Sequence, residues 1–229
     1  MIIRLKDPKH LILGMGEIGK AIFALFNPLN NTNIQGIDEG ESFPGQLFHV
    51  LHVCFPYGPT FKLECQKYAK EYLAPGGIVI IHSTIPVGTT RNLGPNYVHS
   101  PCRGVHPHLL EGIKTFMKFF GGPRAREAAK FFDRLDVPTY TTAIPENTEL
   151  MKLWETEQYR RFIETMREIK EMCDKHHADF DVVYTKSNES YNAGYAKLGI
   201  TSVTRPTLYF VPGPTGGHCV EPNHKLLFP

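Results

Sequence analysis

The chain of 229 residues and 25.9 kDa is long enough for one large domain or two small ones. A composition of 41% hydrophobic and 21% charged residues is that of a folded globular protein and excludes a disordered chain. The balance of 25 basic against 23 acidic residues gives no reason to expect a nucleic acid partner, and the longest aliphatic run, Ile78 to Ile81, is far below the roughly 20 apolar residues of a membrane span.

In chain order, Arg4, Lys6, Asp7 and Lys9 precede any apolar stretch, so no secretory signal is read and a cytoplasmic protein is expected. Leu11 to Leu13 reads as a short buried strand. Ile18, Ala21, Ile22 and Leu25 then repeat at i, i+3, i+4 and i+7, the stripe of a helix that stops at Asn27-Pro28. Thr32 to Ile37 and Val50 to Phe55 read as strands, the second ending at Pro56. A helix is predicted from Pro59 to Leu73, closed by Pro75-Gly76-Gly77, before a fully buried strand from Ile78 to His82. Tyr97 to His99 reads as a short strand, Pro123 to Leu135 as a helix with proline in its first turn, and Val137 to Ala143 as a threonine-rich strand. Such alternation predicts a parallel sheet covered by helices.

From Glu146 the pattern changes to one long helix, where Leu150, Leu153, Trp154, Phe162, Ile163, Met166, Ile169 and Cys173 keep helical spacing up to His177. About 30 residues at 1.5 Å each span about 45 Å, more than one small domain covers, so a homodimer is expected. The remainder, Asp179 to Pro229, offers one strand, Thr207 to Val211, before a proline-glycine loop. Five cysteines, Cys54, Cys65, Cys102, Cys173 and Cys219, stand in no pairwise motif, which suits a reducing compartment.

Gly14-Met15-Gly16-Glu17-Ile18-Gly19 fits G-x-G-x-x-G between a predicted strand and a predicted helix, the context in which that spacing binds a dinucleotide. The first glycine allows a tight turn, the second lets a pyrophosphate approach the backbone, and the third lets the helix pack close. Asp38 ends the next strand, where a carboxylate accepts hydrogen bonds from ribose hydroxyls; with Glu39 and Glu41 beside it, it repels a 2′-phosphate and favours NAD over NADP. Phe55, Pro56 and Ser83 complete the expected cofactor contacts. The fold expected is thus α/β: a Rossmann-type, doubly wound parallel sheet over residues 1–146, followed over 147–229 by a long-helix dimerisation domain and a C-terminal segment.

Two further loops carry candidate chemistry. His82-Ser83-Thr84-Ile85-Pro86-Val87-Gly88-Thr89-Thr90 places hydroxyls at the carboxyl edge of the sheet, although the same pattern suits a capped turn. Val211-Pro212-Gly213-Pro214-Thr215-Gly216-Gly217-His218-Cys219 crowds glycine and proline around a cysteine, which reads either as a nucleophile among backbone N–H groups or as a small buried hydrophobe.

These segments, in this order, resemble the nucleotide-sugar dehydrogenases of the UDP-glucose, GDP-mannose and UDP-N-acetylmannosamine type, and Glu149-Leu150-Met151-Lys152-Leu153 resembles that family's E-x-x-K-L at the start of its central helix. The resemblance runs from Leu11 to Cys219. It implies a two-step, NAD-dependent oxidation of a primary alcohol to a carboxylate, in which Cys219 attacks the aldehyde, Lys152 stabilises the oxyanion and Thr84 helps place the water that hydrolyses the thioester. Arg103 and His106, with Gly216, Gly217 and His218 beside the cysteine, are the expected substrate contacts.

The departures shape the expectation too. Thr156 stands for the family's asparagine, Asn223 for its aspartate and Cys102 for its glutamate, so the acid–base part of thioester hydrolysis lacks its usual groups. The family continues into a second α/β domain that holds the nucleotide of the sugar; ten residues follow Cys219 here, so a short form acting on a smaller substrate is expected. Two alternatives stand beside it. One is a single hydride transfer with Lys152 as acid/base, as in the β-hydroxyacid and 6-phosphogluconate dehydrogenases; the other is a dinucleotide-binding sensor without chemistry. His99, His106, His108, His176 and His177 show no i, i+4 spacing with one another and Cys102 stands in no C-x-x-C, so no metal is expected.

Overall fold

The computed structural model describes residues 8–27, 33–104, 107–213 and 219–229. The chain divides into two compact units, Met1–Leu153 and Trp154–Pro229.

Along the first unit run β1 (His10–Leu13), α1 (Glu17–Phe26), β2 (Ile34–Ile37), β3 (Phe48–Val53), α2 (Phe61–Tyr72), β4 (Leu73–Ile81), α3 (Thr89–Leu93), β5 (Tyr97–His99), α4 (Leu109–Thr115), β6 (Lys118–Gly121), α5 (Ala125–Asp133), β7 (Thr139–Thr142) and the start of α6 (Pro145–Lys175). The seven strands lie in the order β2-β1-β3-β4-β5-β6-β7, every neighbouring pair parallel except β5 with β6. The chain steps from β1 to β2 on one side and returns to β3 on the other, so the sheet reverses direction between β1 and β3, where open α/β sheets bind ligands.

Strand alternation builds a core on each face. Ile12, Val50, Ile78, Ile80 and Phe120 point to one side and pack with Ile22 of α1 and Phe132 of α5. Leu11, Leu13, Leu51, Val79 and Ile81 point to the other and pack with Phe61 and Tyr72 of α2. Burial on both faces is why these strands read as continuous apolar runs.

The predicted strands and helices of this half are present, with three differences. β4 begins at Leu73, which pairs with Phe48 ahead of a register shift to Val50 and Ile78, so Pro75-Gly76-Gly77 is an irregular stretch within the strand and not a helix-to-strand loop. α3, α4 and β6 were not predicted: each is short, and β6 opens on a charged residue, Lys118, that is buried. β7 covers only the middle of the predicted Val137–Ala143.

The second unit holds the rest of α6, a π-helical segment (Asp181–Lys186), α7 (Ser187–Lys197) and α8 (Val220–Leu227). The predicted long helix is α6, 31 residues and about 46 Å long. The strand predicted at Thr207 to Val211 is absent: these residues are outside any strand, and Tyr209, Phe210 and Val211 are exposed. Tyr184 holds the stretch instead, its hydroxyl donating to the Pro206 carbonyl at 2.7 Å, and no strand of this unit among the described residues offers a ladder to join. α7 escaped prediction because it buries a single residue, Asn188, and therefore shows no apolar stripe. Among the described residues no helix is long and apolar enough to cross a membrane.

Candidate active site

The glycine turn between β1 and α1 sits at the switch point. Gly14 donates its N–H to Ile37 O at 2.9 Å, which sets the turn beside the end of β2. A Cβ on Gly19 would lie 1.9 Å from Gly14 O, so only glycine lets α1 pack this close. A Cβ on Gly16 would meet nothing within 4 Å, and its backbone, φ −67°, suits any residue. Packing therefore does not require glycine at position 16, whereas a ligand approaching the backbone there does. Gly16 caps α1 with no side chain of its own to satisfy the first-turn amides. Asp38 follows β2, exposed, with Glu39 and Glu41 beside it; its own N–H donates to Glu41 Oε2 at 2.8 Å. Phe55, after β3, lies against Gly14, and its carbonyl accepts the Ser83 hydroxyl at 2.5 Å, which ties the loops after β3 and β4 together. Pro56 is exposed beside it. An open second glycine, a helix that starts on glycine and a carboxylate one strand over are the features an NAD dinucleotide requires, so the residues fit that cofactor.

A second cluster forms where α6 crosses the carboxyl edge of the sheet. The buried carboxylate of Glu149 accepts the Gly88 N–H at 2.6 Å and the Thr90 N–H at 2.8 Å, capping α3 with a negative charge. Glu146 pairs with Arg91 at 2.5 Å. Thr148 meets His99 Nδ1 at 2.9 Å, and His99 Nε2 donates to Ser83 O at 3.1 Å. The loop carrying Ser83 and the half-buried Thr84 is thus fastened to the first two turns of α6, and Lys152 is one turn further on. The Lys152 charge reaches this cluster: burial above all lowers His99 to about 3, and Lys118 and Lys152 push the same way. Lys152, far in sequence from Ser83 and Thr84, therefore belongs to the same edge as they do.

Behind that edge lies a feature not read from the sequence. His10 Nδ1 meets His52 Nε2 at 2.9 Å, His52 Nδ1 meets His82 Nε2 at 3.0 Å, and His82 Nδ1 meets Ser100 O at 2.9 Å. The carbonyl only accepts, so His82 donates from Nδ1, and each ring up the line does the same to the next. Burial holds all three neutral, with His10 near 4 and His52 and His82 well below the usual range. Lys118 Nζ donates to the same carbonyl at 3.1 Å, its ammonium disfavoured first by burial. Cys102 is buried at this turn, and the Arg103 guanidinium lies 5.6 Å from the Phe119 ring centre. The signal in the sequence was three histidines at core-facing positions of apolar strands. Among the described residues no group of His, Cys, Asp or Glu could hold a metal.

In the second unit Cys219 is exposed at the N-terminus of α8, while Cys54, Cys65, Cys102 and Cys173 are buried. Asn223 is buried and donates to Thr156 Oγ1 at 3.3 Å, so two of the three positions that depart from the pattern the sequence resembles touch each other. One residue along each helix, His224 Nδ1 meets Glu157 Oε2 at 2.8 Å. Glu157 is buried and also pairs with Arg160 at 2.9 Å and Arg161 at 2.7 Å; Arg160, chiefly, holds its carboxyl down to about 2. His106, Gly216, Gly217 and His218 lie outside the described residues.

No family model matches the chain, and no curated protein does. Solved structures do. The UDP-D-ManNAc dehydrogenase of Pyrococcus horikoshii superposes with a TM-score of 0.75 at 17% identity, over 96% of this chain and 64% of that one. The UDP-N-acetyl-mannosamine dehydrogenase of Staphylococcus aureus gives 0.71 at 19%, over 95% and 65%. The fold is the one these dehydrogenases share. The 3-hydroxyisobutyrate dehydrogenase of Mycobacterium tuberculosis gives 0.65 at 14%, over 92% of this chain and 77% of that one. The chain thus spans just under two thirds of the length of the two sugar-nucleotide enzymes.

Proposed function

We propose that this protein is an NAD-dependent oxidoreductase that oxidises an alcohol, with Cys219 as nucleophile and Lys152 and Thr84 as its partners. The observation that carries the reading is the Glu149 carboxylate, which binds the Gly88 and Thr90 amides and so fastens the Lys152-bearing turn of α6 to the Ser83–Thr84 loop, beside a dinucleotide crevice. The glycine turn and Asp38 would hold the cofactor, which when bound would supply a hydride acceptor for the carbinol carbon. Lys152 offsets the negative charge that develops on the substrate oxygen. Cys219 adds to the aldehyde carbon, the resulting thiohemiacetal would give up a second hydride to a second NAD to leave a thioester, and Thr84 orients the water that breaks the carbon–sulfur bond and releases the acid and the Cys219 thiol. The sugar-nucleotide dehydrogenases of this fold suggest a sugar or sugar nucleotide, or a smaller alcohol, as substrate.

A homodimer in the cytoplasm completes the proposal. Val182, Val183, Leu198, Ile200, Tyr209 and Phe210 are exposed apolar side chains of the second unit that a second copy would cover. Light scattering should give about 52 kDa, twice 25.9 kDa; a monomer mass contradicts the dimer.

The likeness to 3-hydroxyisobutyrate dehydrogenase favours a second reading, in which Lys152 alone serves a single hydride transfer. Counting NADH formed per molecule consumed, across a panel of sugar nucleotides and small alcohols, separates the two. Two NADH per substrate supports the cysteine scheme, one supports the single transfer, and none across the panel, with cofactor bound, supports a sensor.

A further inference from the structure

A line of hydrogen bonds crosses the carboxyl edge of the sheet from α6 to the glycine turn, and His99 is its middle member. His99 ends β5 and has no exposed surface. Its Nε2 meets Ser83 O at 3.1 Å, and a carbonyl only accepts, so the ring carries its hydrogen there. Burial above all keeps the ring neutral, lowering it to about 3, which leaves Nδ1 bare and 2.9 Å from Thr148 Oγ1. Thr148 has one hydroxyl hydrogen and two acceptors in reach, Nδ1 and the Pro145 carbonyl, each at 2.9 Å. That carbonyl opens the α6 ladder and receives a backbone amide, whereas Nδ1, sealed in the core, depends on the hydroxyl. Ser83, also buried, donates in turn to Phe55 O at 2.5 Å. The donors therefore all face one way, from Thr148 to His99 to Ser83 to Phe55.

We propose that His99 is a positioning residue for the dinucleotide crevice: its Nε2–H holds the Ser83 loop, and Phe55 through it, in the place against Gly14 that the cofactor needs. The inference rests on the glycine turn binding NAD. Both ends of the line are elements of the site. Phe55 lies so close to the turn that a Cβ on Gly14 would be 3.0 Å from its backbone nitrogen, and Thr148 is one turn before Lys152 on α6. Glu149 holds the far end of the loop at Gly88 and Thr90, whereas the His99 bond holds the end next to the crevice. Thr148, His99 and Ser83 are all buried, so solvent does not stand in for a lost partner.

Two substitutions divide the imidazole into its halves. Glutamine places an amide where Nε2 stood and can donate to Ser83 O; asparagine places an oxygen where Nδ1 stood and can accept from Thr148. Each keeps one bond and loses one, so His99→Gln and His99→Asn should lower the urea midpoint by similar amounts. NADH affinity, measured by calorimetry on the folded proteins, should instead separate them. It should stay within about three-fold of the wild type in His99→Gln and weaken at least about ten-fold in His99→Asn. Equal affinities in the two variants, or losses that merely follow the fall in midpoint, overturn the positioning role and leave the crevice standing. A wild type that binds no NADH overturns both. Should a His99 variant fail to fold, Thr148 decides. Thr148→Ser keeps the hydroxyl and should bind NADH like the wild type, while Thr148→Val strands Nδ1 at nearly unchanged volume and should bind about ten-fold less tightly. Wild-type affinity in Thr148→Val contradicts the proposal.

Discussion

Gly16 and Gly19 occupy one turn for different reasons, and substitution separates them. Gly19→Ala drives a methyl into the Gly14 carbonyl, 1.9 Å away, and should destabilise the fold by about 1–3 kcal/mol in urea titration. Gly16→Ala meets open space and should leave stability within about 0.5 kcal/mol, yet weaken NADH binding at least about ten-fold. Equal binding by the Gly16 variant would show that nothing approaches that backbone. Cys219 needs similar care: it is the exposed cysteine of the five, so iodoacetamide should label it first whether or not it is activated. The informative comparison is with free glutathione at neutral pH. Labelling of Cys219 about ten-fold faster supports a nucleophile, and an equal rate marks an ordinary surface thiol.

At the scale of elements, two buried polar devices join pieces of chain. Glu149 joins α6 to the loop before α3; Glu149→Ala strands the Gly88 and Thr90 amides and should cost roughly 2–4 kcal/mol, with loss of any turnover that needs Lys152 in place. The imidazole line joins β1, β3 and the end of β4, and with His99 it gives stability a pH dependence. These groups are neutral in the folded state and titrate near 6.5 when unfolded, so the unfolded chain binds more protons below that value. Stability should be level above about pH 7.5 and fall from 6.5 toward 4. Between pH 7 and 5, His10 and His99 should each give up about 2 kcal/mol, and His52 and His82 add to the loss. A urea midpoint that holds constant from pH 7 to 5 contradicts neutral, buried rings.

Across the whole molecule, what was legible in the sequence follows the range of the interactions. The central strands β1, β3 and β4 declared themselves because burial on both faces leaves unbroken apolar runs, and Gly14 to Gly19 because one turn contains the entire motif. The imidazole line was not legible, since its links join residues 30 and 42 apart, and neither was the role of Glu149, whose partners lie 59 and 61 residues away. α7 and β6 were missed because one lacks an apolar face and the other opens on a buried lysine. The predicted strand at Thr207 had the composition of a strand and no neighbour to pair with. The oxidoreductase reading depends on the crevice between β1 and β3 holding a dinucleotide, and calorimetric titration with NADH and, separately, NADPH tests that directly. Binding of NADH with clear preference over NADPH, lost in Gly16→Ala and relaxed in Asp38→Ala, is the result predicted. Binding of neither would make the glycine turn a packing device, and the oxidoreductase reading would fall with it.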